Sequence, residues 1–334
     1  MSRSTARAVS SVAIPVLALA AVTACGGGNG SGNSAAGGGQ AHKKLELIVG
    51  TKSDNFYVTM ECGAKQEAAA RHASLTVNGP ADFTVPEQKP LIDAAAATKP
   101  DALMVAPTDT AALNSDLQQV QSNGTKLVFV DTSSSDAALG VSRITSDNVQ
   151  GGRIAADQLA QQIGGKGVVA VITVKAGTST TDARVQGFVQ EMKSKHPGVT
   201  LLGTHYDDTD STTVATQDIS GDISAHHNLA GVFAANVITA EGAATAVKSA
   251  GMSGKVKVAT FDADPTQMTM LRNGTIQLAI AQAPALEGKD AVDQAMNALT
   301  GKPVTKNILT PLVAITKSNM NSPSVAKYVY KSSC

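Results

Sequence analysis

Tryptophan is missing from this 334-residue chain, and six phenylalanines and four tyrosines are its whole aromatic complement. So few rings allow only a modest stacking platform. Excess charge is lacking too: 27 basic residues balance 27 acidic ones, for a formal net charge of zero. With that balance and no helix-turn-helix pattern at either end, nucleic acid is not an expected partner. The six histidines form no metal-ligand or catalytic pattern, and His226-His227 reads as a solvated pair at a helix end. Neither G-x-S-x-G nor H-E-x-x-H occurs, so no serine hydrolase or zincin is expected. The run Asp207-Asp208-Thr209-Asp210 lacks the glycine and terminal glutamate of a calcium loop and reads as a polar loop. Past the N-terminus no apolar stretch approaches the length of a membrane span.

What is present begins with a targeting pattern. Arg3 and Arg7 precede an apolar run over 12–22, interrupted by Pro15 and too short to cross a bilayer. It ends in Val22-Thr23-Ala24-Cys25, which resembles a bacterial lipobox. The expectation is a lipoprotein signal peptide over 1–24 and a diacylated Cys25, against the plainer alternative of ordinary secretion. A glycine-rich tether over 25–42 follows; no G-x-x-x-x-G-K-S/T makes it a phosphate loop. Removing Arg3 and Arg7 leaves 25 basic and 27 acidic residues, a charge of −2. The lipid would be the only anchor, and the location the extracytoplasmic face of the cell membrane.

From residue 45 onward short apolar runs alternate with amphipathic ones, as expected of parallel strands covered by helices on both faces. One round of about five strands runs to residue 145, and a second begins at 151. A final strand is expected over 309–315. The predicted fold is α/β, two doubly wound Rossmann-like lobes. In such sheets ligands sit beyond the carboxyl ends of the strands. The stretch 257–284 sends two strands to one such edge, ending on Asp262 and Gln282. A carboxylate and an amide there suit a ligand with many hydroxyls.

Ordered motifs then carry a resemblance. They are Ser146-Asp147-Asn148 with Gly151-Gly152, Ala176-Gly177-Thr178-Ser179 with Arg184 and Gly187-Phe188, Asn236 after Phe233, Phe261-Asp262, and Ala281-Gln282. In this order and spacing the chain, over 45–315, resembles the periplasmic solute-binding proteins of ribose and related sugar ABC transporters. The resemblance implies two lobes joined by a three-strand hinge, crossing near Ser146, Gln282–Pro284 and Leu309–Pro311. It places 43–146 and 284–309 in an N-terminal lobe, 147–283 and 310–320 in a C-terminal lobe, and leaves 321–334 as a tail. It implies a small sugar in the cleft and a permease as partner, for a protein expected to be a monomer with no cofactor.

Carried residue by residue, Arg184, Asn236, Asp262, Gln282 and Asp131 match hydroxyl-binding positions, and Phe56 and Tyr57 match an aromatic pair. Asp54 stands where asparagine is usual, Thr132 replaces an arginine, and no aromatic stands near Thr209. These departures leave the sugar open but not its class. Carboxylates accept hydroxyl hydrogens, the guanidinium donates, and the amides do both. Phe56, Tyr57 and Tyr206 would cover C–H faces, and the small platform favours a pentose, hexose or sugar alcohol. Plainer roles stand beside these: helix caps for Asp54, Asp131 and Asp262, a surface ion pair of Arg184 with Asp182 or Glu191, a hinge role for Gln282, and core packing for Phe56 and Tyr57. Export permits a disulfide, and Cys62 with Cys334 is expected to pin the tail to the first lobe. Asp131 and Asp262 could be imagined as a glycosidase pair, but no enzyme is expected. The competing function is a receptor feeding a signalling partner.

Overall fold

The computed structural model describes residues 42–334. The expected signal segment, Cys25 and all but the last residue of the tether lie outside the described residues. Among those described, no helix is long and apolar enough to cross a membrane.

The first lobe is laid down as β1 (Lys44–Ile48), α1 (Asn55–Ala70), β2 (Ser74–Asn78), α2 (Val85–Thr98), β3 (Ala102–Val105), α3 (Asn114–Ser122), β4 (Lys126–Val130) and β5 (Ser142–Ser146). The second follows as α4 (Asn148–Gln162), β6 (Gly167–Val174), α5 (Ser179–Lys195), β7 (Val199–Asp207), α6 (Thr212–Ala225), β8 (Leu229–Ala234), α7 (Val237–Ser249), β9 (Lys257–Phe261), α8 (Pro265–Asn273) and β10 (Leu278–Ala281). Then come α9 (Pro284–Leu299), β11 (Asn307–Thr310), β12 (Val313–Ile315) and α10 (Pro323–Ala326). The sheets run β11-β5-β4-β3-β1-β2 and β12-β10-β9-β8-β6-β7, so each has six strands where the sequence suggested about five. All pairings are parallel except β10 with β12. The central strands Ala102–Val105 and Leu278–Ala281 are buried at every residue, which is why they read as unbroken apolar runs. The edge strands β2 and β7 keep half-open positions and mixed composition.

The chain passes between the sheets three times: after β5, between β10 and α9, and between β11 and β12. The single strand expected over 309–315 is therefore two strands in different sheets. Pro311 explains the break, since it cannot donate to a ladder and fixes its own φ. Thr310 still belongs to the first sheet, slightly beyond the expected division at 309.

Each crossing helix packs on the lobe it enters: α4 against α5, β9 and β10, and α9 against α1, β3, β4 and β5. Both helix pairs depend on glycine. A Cβ on Gly152 would lie 2.0 Å from the Arg184 carbonyl oxygen, and one on Gly187 2.1 Å from that of Val149. Gly63 and Gly288 do the same between α1 and α9, at 1.9 Å from Ala285 O and 2.1 Å from Met60 O. The motif glycines 151, 152 and 187 thus have a packing reason, which fixes where α5 presents Arg184.

Cys62 and Cys334 form a disulfide. Cys62 lies in the middle of α1, and the bond ties the C-terminus to the first lobe. The tail also grips the second lobe: Tyr330 N–H donates to Ala263 O at 3.0 Å.

Candidate functional site

The carboxyl ends of the two sheets face each other, and the loops leaving β1, β4, β6, β8, β9 and β10 converge between them. Strand order reverses at β3/β1 in one sheet and at β8/β6 in the other, the usual position of a ligand crevice. Three hydrogen bonds join the lobes across the rim: Ser133 N–H to Ser179 Oγ at 3.0 Å, Thr110 N–H to Gly177 O at 3.2 Å, and Asn55 Nδ2 to Asp264 Oδ2 at 2.6 Å. Between the lobes lies a cavity of about 60 Å³. A wider space of about 320 Å³ shares Asp54, Phe83 and Asp210 with it.

Nine of the ten residues singled out in the sequence line the inner cavity. Arg184 is held rigidly. Its Nε donates to Asn148 Oδ1 and its Nη1 to Ala235 O, both at 2.8 Å, and the guanidinium lies 4.2 Å from the centroid of the Phe261 ring. Its Nη1 is 3.8 Å from Asp262 Oδ2. Asp182 instead accepts from Gly177 N–H, and Glu191 pairs with Lys195, so the surface ion pair is not formed. Nη2 has no protein acceptor among the described residues.

Asp131 and Asp262 both follow a strand with a left-handed backbone, φ 62° and 89°. Such a conformation costs a non-glycine residue on the order of 1–3 kcal/mol and gathers at functional sites. Neither caps a helix. Asp131 accepts from Tyr57 Oη at 2.7 Å, and burial, partly offset by Arg184, raises its carboxyl to about 6. Asp262 Oδ1 accepts from Gln282 Nε2 at 2.6 Å and from Tyr330 Oη at 2.7 Å. Gln282 Nε2 being spent there, its Oε1 is left buried without a partner, as is Thr178 Oγ1. Buried acceptors are rarely left so in a finished structure; both line this cavity.

Two residues serve structure and cleft at once. Asp54 caps α1, its Oδ1 accepting from Phe56 N–H at 2.8 Å, and still reaches the cavity. Its own surface is only half-buried, but both lobes pack around it. That burial, with Asp262 next, raises its carboxyl to about 8. Asn236 caps α7 through Thr239 and donates Nδ2 to Asp210 Oδ1 at 2.9 Å. Phe56 and Tyr57 line the cavity while packed edge-on with centroids 5.1 Å apart, so they are lobe core as well. Thr132 gives its hydroxyl to Pro107 O at 2.7 Å.

Tyr206 does not join them: it is 49% exposed on β7 and lines neither space. The loop after β7 contributes Asp210 instead, raised to about 6 chiefly by burial. Its φ of 47° is a local sign of an unusual turn that composition alone did not give. Thr178, inside a motif already singled out, and Thr180 and Thr181 just beyond it also line the cavity. Phe83 and Tyr330 carry no sequence signal: one sits in an irregular loop, the other in the tail outside the alternation.

A family described as "Periplasmic binding protein domain" matches residues 45–303. The chain belongs to this family. Among its relatives, this periplasmic binding protein is 29% identical over 268 residues to the ribose import binding protein of Bacillus subtilis, covering 80% of the chain and 85% of the relative. It is 28% identical to that of Escherichia coli, over 83% and 92%. Among solved structures, an ABC transporter solute-binding protein from Agrobacterium vitis bound with alpha-D-tagatopyranose is 41% identical, with a TM-score of 0.84 over 86% of this chain and 99% of that one. One from Agrobacterium radiobacter, in complex with D-arabinose, is 29% identical with a TM-score of 0.82 over 87% and 99%.

Proposed function

We propose that the protein is an extracytoplasmic solute-binding lipoprotein that captures a small sugar or sugar alcohol between its lobes and delivers it to the permease of an ABC importer. The observation that carries this is the inner cavity itself. Asp131, Asp262, Arg184, Asn236 and Gln282 converge there from both lobes, and Gln282 Oε1 is buried without a donor. Hydroxyls, each both donor and acceptor, complete such a set, and analogues lacking one leave a protein group unpaired. Phe56, Tyr57 and Phe83 offer ring surface for C–H faces. The sugars named in the structures of the relatives support the same class.

A micromolar ligand needs about 8 kcal/mol net. Five or six bonds of about 1.5–3 kcal/mol to charged groups can supply it after ordering costs. The three crossings act as the hinge, opening the rim to admit ligand and closing it to present a joint surface to the permease. The protein acts as a receptor, releasing its ligand unchanged. Cys25, diacylated, holds it at the membrane, with the glycine tether as leash. A thermal-shift screen of pentoses, hexoses and alditols tests the ligand class: at least one raises Tm and is recovered unaltered, whereas a flat response to all of them, or a hydrolysed ligand, refutes it. Cys25→Ser is expected to move the protein from the membrane to the soluble fraction.

A further inference from the structure

The end of the chain reaches the site from behind. Tyr330 lines neither the inner cavity nor its mouth, yet it is 3% exposed and its hydroxyl bonds a carboxylate that does. Its Oη accepts from Gln282 N–H at 3.3 Å and donates to Asp262 Oδ1 at 2.7 Å. Burial, with Asp262 next, holds the phenol well above its usual range, so the oxygen keeps its proton and remains a donor. Gln282 Nε2 donates to the same Oδ1 at 2.6 Å. The torsion that turns a carboxylate is soft, and two donors on one oxygen fix it. Oδ2 is left 3.8 Å from Arg184 Nη1, with no hydrogen-bond donor among the described residues. The same bond to Oδ1 turns the Gln282 amide so that Oε1 is its unpartnered atom.

The segment that carries Tyr330 is stitched to both lobes. Tyr330 N–H is on Ala263 O of the second lobe, and its ring lies edge-on to Phe56 of the first, 5.7 Å between centroids. Lys331 N–H donates to Thr59 Oγ1 of α1 at 2.7 Å. Cys334 then closes on Cys62, which shares a face of α1 with Thr59 at i and i+3. Residues 331–334 are exposed, so past Tyr330 little but Thr59 and the disulfide holds the chain.

We propose that Tyr330 is a positioning residue for ligand binding: it fixes the Asp262 carboxylate and the Gln282 amide with Oδ2 and Oε1 free to accept, and the Cys62–Cys334 bond keeps it in place. This rests on the sugar-receptor reading above and adds to it a residue that does not touch the ligand. Affinity gains from groups oriented before the ligand arrives, because less ordering is left to do on binding. The affinity is then coupled to the redox state of a bond whose Cys334 end is exposed. An external dithiol such as dithiothreitol supplies two electrons and two protons, giving two thiols while the reagent becomes its own disulfide.

The test is calorimetry of the full chain with the sugar bound best in the carbohydrate screen and with its monodeoxy analogues. Tyr330→Phe keeps the ring against Phe56 and removes only the hydroxyl. It is expected to weaken the parent sugar about tenfold and to narrow its preference over the analogue lacking the hydroxyl that Asp262 or Gln282 receives, leaving the other preferences in place. Dithiothreitol, below the melting range, is expected to weaken binding at least about threefold in wild type and not at all in Tyr330→Phe, as two steps acting through one group do. Equal affinities of wild type and Tyr330→Phe, or one uniform loss across parent and analogues, overturn the positioning role. Verified reduction that leaves the wild-type affinity unchanged, or that weakens both proteins alike, overturns the part given to the disulfide. Should Tyr330→Phe not fold, reduced wild type carries the same comparison: a narrowed preference for one hydroxyl supports the proposal, and a uniform loss overturns it. If wild type binds no carbohydrate, the receptor reading fails and this inference with it.

Discussion

At the residue scale, Asp262 and Arg184 are each held by several partners. Asp262 collects Gln282, Tyr330 and Arg184, and Arg184 is locked between Asn148, Ala235 O and the Phe261 ring. Removing either leaves buried groups unpaired as well as deleting a ligand contact, which is the expensive case. Asp262→Ala and Arg184→Ala are each expected to weaken ligand binding at least tenfold, about 1.4 kcal/mol, in an equilibrium titration. Unchanged affinity in both would remove them from the site. These two were legible because they follow or sit in strand–helix units whose periodicity is plain. Asp210 was not, since a run of acids in a loop looks the same whether one of them turns inward or none does. Tyr206 was misplaced for the complementary reason: alternation along an edge strand decides its face, and here the face is solvent.

At the scale of elements, the helix pairs α4/α5 and α1/α9 set the position of both cleft walls. Their glycines leave no room for a side chain against a neighbouring backbone. Gly152→Val is expected to destabilise the protein by at least about 3 kcal/mol or prevent folding, as overpacking against rigid backbone does; a melting temperature within a degree or two of wild type would contradict the close approach. The element order was readable throughout, because buried parallel strands are short apolar runs and helices between them keep a wider period. The last strand was not: nothing before Pro311 says that the halves on either side join different sheets. Nor did α9 reveal that Glu287, in its first turn, faces inward. That carboxylate is fully buried, accepts from Ser146 Oγ at 2.7 Å and Thr310 Oγ1 at 2.9 Å, and so touches segments at all three crossings.

Burial, with Asp131 next, raises the Glu287 carboxyl from 4.5 to about 8. The folded state therefore holds a proton that the unfolded chain releases above pH 4.5. Stability contributed here is fully present below that value, falls through the window from 4.5 to about 8, and is lost above it. Glu287→Gln keeps an oxygen for both hydroxyls and carries no charge. It is expected to leave Tm nearly unchanged near pH 4.5 and to raise it by roughly 2–4 °C at pH 9. Equal Tm differences at the two pH values would exclude the account.

At the scale of the whole molecule, two lobes, three crossings and one covalent tie define what can move. The Cys62–Cys334 bond spans a sequence separation of 272, so the chain-entropy estimate for closing it is roughly 5–6 kcal/mol. Reduction, or Cys334→Ser, is expected to lower Tm by several degrees and to loosen the tail that brings Tyr330 to Asp262. An unaltered melt after verified reduction would show that the tie is dispensable. The pairing could be anticipated from two cysteines in an exported chain, but not the path between them. The tail was expected to be pinned to the first lobe; it is, and Tyr330 also reaches the second, where its hydroxyl donates to Asp262.

The claim on which the rest turns is that both lobes together surround a hydroxyl-rich guest. A crystal structure with the best ligand from the carbohydrate screen tests it most directly. The account predicts the sugar between the sheet edges, with hydroxyls at hydrogen-bonding distance from Asp262 Oδ2, Arg184 Nη2 and Gln282 Oε1. A saturating ligand seated elsewhere on the protein, with those three atoms untouched, would contradict it.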